Sequence, residues 1–154
     1  MSFTPPVGAA TASTRGIVRL TGDLGGTADS PTVPNMARVN LGGLETVSTN
    51  ASATGAVQLN PANGNVFSLT LTGNITPSVT TSSLVAGKAS SFALYLKQDN
   101  SGNRIVTWTS MNIKWAGGVA PTLSTAGNSL DIVVFESLDG GTTWYGSLVG
   151  TAFA

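Results

Sequence analysis

From Val66 to Thr72 the apolar residues fall on every second position: Phe67, Leu69 and Leu71 point one way, and Ser68, Thr70 and Thr72 the other. That period of two is the signature of a strand with one buried and one wet face. Ser91 to Lys97 repeats it with Phe92, Leu94 and Leu96, and no segment carries a helical stripe. Further strands are expected at Ile75 to Val79, Arg104 to Trp108, Asn112 to Trp115, Ser129 to Ser137 and Thr143 to Val149. The turn-forming cluster Asp99 to Asn103 suits a hairpin into Arg104, and Asp139 to Thr142 suits a reversal after Ser137. Leu130 to Phe135 is apolar on both faces apart from Asp131, as a central strand would be. Seven or eight strands with regular turn signals predict an all-β fold, an antiparallel β-sandwich of jelly-roll-like form.

Nine of the ten aromatic residues lie between Phe67 and Phe153, and only Phe3 precedes them. Large rings supply much of the burial in a small core, each worth about 1.5–3 kcal/mol when fully buried. The reading therefore divides the chain into an extended, turn-rich N-terminal arm over residues 1–59 and a β-sandwich domain over residues 60–154. Within the arm, Leu20 to Pro34 is broken by Gly, Pro, Asp, Ser and Thr, so turns and extended pieces are expected there and neither helix nor strand. Met36 to Leu41 is too short for periodicity to choose between a helical turn and a strand. Ala12 to Leu20 echoes Ala51 to Leu59 at Ala, Ser, Gly, Val and Leu. Each copy has room for one short strand that could add to the edge of a neighbouring chain, although the match also fits shared compositional bias.

Only 9% of the 154 residues are charged, seven of each sign, so no basic stripe exists for nucleic acid and no polybasic patch for a membrane surface. Such sparse charge favours assembly or docking over life as a free monomer, with abundant Ser, Thr and Asn as the competing source of solubility. Histidine and cysteine are absent, which removes disulfides, thiol nucleophiles, imidazole-dependent triads and most zinc sites. No apolar run is long enough to insert in a membrane, and Met1 to Pro6 lacks the character of a secretory signal.

Sharper chemical readings are weak. Asp99 to Asn103 and Asp139 to Thr142 place oxygens beside glycines, but calcium requires six to eight oxygens, and neither loop has a second carboxylate. Asp131, Glu136 and Asp139 are the clustered acids. Asp131 and Glu136 lie five positions apart and would face opposite sides of an uninterrupted strand, unsuited to paired acid–base work. Solvated or salt-bridged surface carboxylates are the expected reading. Ala86-Gly87-Lys88-Ala89 lacks the flanking residues of a phosphate loop and reads as a turn. Trp144 and Tyr145 must face opposite ways, so one of them points outward. Trp115 and Tyr145 are the candidate aromatics for stacking on a sugar or for a subunit interface, with burial in the core as the competing role.

Two stretches resemble a known group. Ala12-Ser-Thr-Arg-Gly-Ile-Val-Arg-Leu20, followed by Gly-Asp-Leu-Gly-Gly-Thr and Pro-Thr-Val-Pro, resembles the connecting segment of bacteriophage fibre and appendage proteins. The run from Asn112 to Tyr145, with Lys-Trp-Ala-Gly-Gly and Leu-Asp-Gly-Gly-Thr-Thr-Trp-Tyr-Gly, is similar to their carboxy-terminal β domains. The resemblance implies a virion structural protein associating with itself as a homotrimer; from the residues above, no enzymatic activity, cofactor or metal is expected. Arg15, Ile17, Val18, Leu20 and Leu24 would then make virion-attachment or oligomer contacts, with the major capsid protein or another virion protein as partner. Because the chain has no heptads and no long repeat from which to build a shaft, the preferred role is capsid decoration or head fibre. The alternative is a short tail fibre or tail tip binding a host surface glycan.

Overall fold

The computed structural model describes residues 25–27, 30–32 and 45–153. The chain divides into two units, residues 1–44 and 45–154. In the first, β1 (Gly25–Thr27) pairs antiparallel with β2 (Ser30–Thr32), setting Gly26 opposite Pro31. The expectation that Leu20 to Pro34 holds no strand is thereby corrected. Three-residue strands need no hydrophobic period, and only two residues separate them, the shortest common hairpin connection.

The second unit is one six-stranded sheet of β3 (Val47–Leu59), β4 (Val66–Val79), β5 (Ser90–Gln98), β6 (Ile113–Trp115), β7 (Leu130–Ser137) and β8 (Trp144–Phe153), in the order β3-β4-β5-β7-β8-β6. All-β is right, but the antiparallel sandwich is corrected to a mixed sheet. β3/β4, β4/β5 and β6/β8 run parallel, while β5/β7 and β7/β8 run antiparallel. Alternation has the same period in either kind of strand, so it carries no information about direction. β7 is central, as its doubly apolar sequence predicts, and the chain reverses at Asp139 to Thr142 into β8 as expected. Residues Val47 to Leu59, assigned above to the arm, supply edge strand β3.

Chain length forces a sharp bend in the β3/β4 pair. Straight, β3 would extend roughly 40 Å at ~3.3 Å per residue, yet Leu59 is joined to Val66, the first residue of β4, by a link that can reach at most about 25 Å. That link also contains a 3-10 turn at Pro61–Asn63, capped by the Asn60 side chain. The register shifts between Asn50 and Gly55, and Gly55 has a left-handed φ of 65°. Irregularities of this kind bend and twist a strand pair. The outer halves, Gly55 to Leu59 against Ile75 to Val79, turn back there, and Ala53, Val57, Leu59 and Ile75 join the same core as Phe67, Leu69, Phe92, Leu94, Val133, Phe135 and Trp144.

One face of the sheet is thus the core side. Besides the folded-back β3/β4 halves, it is covered by the β4–β5 crossover through Leu84 and by the long excursion Asp99 to Ser129 through Val106, Trp108, Met111, Trp115 and Leu123. The excursion replaces the hairpin strand expected at Arg104 to Trp108. Only Val106 bridges a strand, parallel to Ile75. The Gln98 side chain supplies the reason: its Oε1 accepts the Arg104 N–H at 2.9 Å, and its Nε2 donates to the carbonyls of Arg104 at 2.9 Å and Ser124 at 3.0 Å. Arg104 finds in one amide the partners a ladder would otherwise give.

The other face carries Val66, Ala93, Tyr95, Leu130, Ile132, Val134 and Phe153, all half-buried or exposed. No described segment covers it.

Candidate functional site

The acids singled out from sequence do not form a catalytic pair. Asp131 lies on the core face, 2% exposed, and Glu136 on the opposite face, exposed, as the five-residue spacing predicts. Asp131 departs from the expectation of a solvated acid. One carboxylate oxygen accepts the Ser124 N–H and the other the Ala152 N–H at 2.9 Å, which satisfies the acid on burial and binds the excursion and the end of β8 to β7.

The two Asp–Gly loops are turns held by their own carboxylates. Asp99 accepts the N–H groups of Ser101 at 3.1 Å and Gly102 at 2.9 Å and pairs with the Arg104 guanidinium at 2.7 Å. Asp139 accepts the Thr143 N–H and the Ser137 hydroxyl, both at 2.9 Å. The Arg104 hydrogen bond holds the Asp99 carboxyl below the usual carboxylate range, and the Thr143 N–H does the same for Asp139. With these oxygens committed to turn donors, neither loop presents a cation cage, and no cluster of three metal-ligating side chains exists among the described residues. Ala86 to Ala89 is a turn at a positive-φ Gly87, where Lys88 N–H meets the Val85 carbonyl.

The two candidate aromatics part company. Trp115 is half-buried, its ring 5.3 Å from Trp108 and 5.7 Å from Phe135, both in edge-on contacts. It is a core residue. Tyr145 is 53% exposed while its neighbour Trp144 is 1% exposed against Phe92, realising the opposite-faces argument with Tyr145 as the outward member. Tyr145 pairs with Glu136 on β7 and Lys114 on β6. At the same end of the sheet, the crossover tip and the β7–β8 turn meet at Gly140 and Ala86, where Val85 and Leu138 are exposed. The sequence reading missed Val85 and Leu138, since isolated apolar residues in loops carry no periodic signal. It also missed the apolar outer face, for which the doubly apolar run of Leu130 to Phe135 was the available sign. Arg15, Ile17, Val18, Leu20 and Leu24, and the helix-or-strand choice at Met36 to Leu41, lie outside the described residues.

A mixed sheet sealed by loops on one side, with turn carboxylates bound to backbone and an outward aromatic at one end, defines a β-rich structural domain. The chain belongs to a phage tail fibre family: residues 53–136, more than half its length, match the model described as "Putative phage tail fibre C-terminal domain". The match runs from Ala53 in β3 to Glu136 in β7, and it makes the protein a virion component. No curated protein and no solved structure matches the chain.

Proposed function

We propose that this chain is a non-enzymatic tail-fibre component whose β domain contacts a receptor on the host-cell surface. The observation that carries this reading is the family match to a tail fibre C-terminal domain, which favours a tail location over the capsid decoration preferred from sequence. The contact is assigned to the end of the sheet bearing Tyr145, Val85 and Leu138. Tyr145 offers a free ring face with Lys114 and Glu136 in register beside it, a combination suited to stacking on a sugar ring while polar groups bond its hydroxyls. The segment containing Arg15, Ile17, Val18, Leu20 and Leu24 is assigned to attachment within the virion.

Competition tests the reading. Host cells preincubated with the purified full chain should adsorb phage more slowly, and Tyr145→Ala should lose most of that protection while keeping its circular dichroism spectrum. Density for this domain at the capsid lattice axes, together with no competition by the wild-type chain, would return the protein to the shell and end the receptor assignment.

A further inference from the structure

We propose that the uncovered outer face of the sheet is the surface through which copies of this chain associate, with Lys97 of one copy meeting Glu136 of the next. The register places the residues of this face in rows that cross the sheet. Val66, Ala93, Val134 and Ser147 form one row, and Ser68, Tyr95, Ile132 and Gly150 the next. Thr70, Lys97, Leu130 and Phe153 form a third, and the Phe153 ring lies over Gly150. Across four strands and about five residues of strand length, this is roughly 300 Å² of sheet, a fair match to the apolar centre of an interface that buries ~800 Å² per partner.

Charge selects the occupant. On β3, β4, β5, β7 and β8 this face carries two charged residues, Lys97 and Glu136, both exposed, with Lys114 beyond them on edge strand β6. Lys97 stands opposite Leu130, and Glu136 opposite Ser91. They sit at opposite ends of the apolar patch, six residues or about 20 Å apart along antiparallel strands, too far to pair within one chain. The patch is apolar in the middle, with Lys97 at one end and Glu136 at the other, Lys114 standing in the Glu136 row two strands away on β6, and its β5/β7 centre complements itself when a second copy lies on it with its strands reversed. With the strands aligned, Lys97 would lie beside Lys97 and Glu136 beside Glu136, and like charges at an interface are strongly disfavoured. Two closed arrangements meet the condition: a two-fold pair with reversed strands, and a three-fold ring whose strands cross the axis so that each copy's Lys97 end meets the next copy's Glu136 end. Tyr145 lies in the Glu136 row of this same face, so the proposal is separated from host binding by its readout, the association state of the chain measured without host cells.

Charge reversal in the full chain, followed by sedimentation velocity over a concentration series, tests it. The wild type should associate to a dimer or trimer. Lys97→Glu and Glu136→Lys should each weaken association at least about tenfold, and the double reversal should restore it. Phe153→Asp, at a position 46% exposed, should give a monomer with an unchanged far-ultraviolet spectrum. A wild-type chain that stays monomeric throughout overturns the proposal, as does a double reversal no tighter than the singles. Loss of host-cell binding by a Phe153→Asp chain that still associates like the wild type would give this face to the receptor instead.

Discussion

A single buried carboxylate shows how much of this fold depends on polar residues within an apolar setting. Asp131 interrupts the apolar run of β7, yet its two oxygens bind Ser124 and Ala152 from two different parts of the chain. Gln98, 3% exposed, takes the Ser124 carbonyl from the other side. Asp131→Ala leaves two N–H groups without their acceptor, and a loss of about 2–4 kcal/mol is expected in urea unfolding. An unchanged denaturation midpoint would remove Asp131 from this structural role. Asp99 and Asp139 act at the surface and set the acid response. Both folded-state pKa values are depressed by hydrogen bonds to the ionised form, so their stabilisation is complete above the unfolded-state value of about 3.9 and disappears as pH falls through the lower folded values. Stability should be level from pH 7 to about 5 and decline below about 4. The Asp99→Asn, Asp139→Asn double variant should show a shallower acid decline, and one as steep as the wild type's would locate the acid sensitivity elsewhere.

At the scale of elements, β3 changes where the chain can be cut. Ala53, Val57 and Leu59 are core residues, and β4 has no other neighbour on that edge of the sheet. A truncation beginning at Glu45 should remain folded, whereas one beginning at Asn60 removes three buried side chains and exposes the Phe67 and Leu69 region. The second should therefore be aggregated or show no cooperative melt, and two equally cooperative melts would make β3 dispensable. β4, β5 and β7 were legible because each carries a period of two or a doubly apolar run, β8 because a turn cluster precedes it, and Trp144 and Tyr145 were legible as an opposed pair. β3 was not, since Val-Ser-Thr-Asn-Ala-Ser-Ala-Thr-Gly is built of small residues that read equally well as linker. Its bulges also shift the alternation midway, so Val47 shares the outer face with Val66 while Val57 lies in the core. Strand order was illegible for a different reason: parallel pairing depends on where a crossover returns, and neither the corner near Gly55 nor the bonding of Gln98 leaves a periodic trace.

In the molecule as a whole, sparse charge and an open apolar face belong together. A free domain would be expected to carry charges on that face to discourage association. Here they are confined to its ends, an arrangement that in the proposed association would direct contact between copies without blocking it. The outward aromatic, Tyr145, was visible in the sequence as one of two candidates, but the other, Trp115, packs against the core, since adjacency to Lys114 and two glycines says nothing of what packs above a ring. That packing has an optical consequence. The indoles of Trp108 and Trp115 both belong to the excursion over the core face, with centroids 5.3 Å apart and planes inclined by 66°, and both lie against Phe135 of β7. Two chromophores so close and so steeply inclined couple their electronic transitions, so near-ultraviolet circular dichroism, which depends on fixed aromatic packing, carries a couplet that vanishes when the excursion lifts, even if every strand beneath it stays paired.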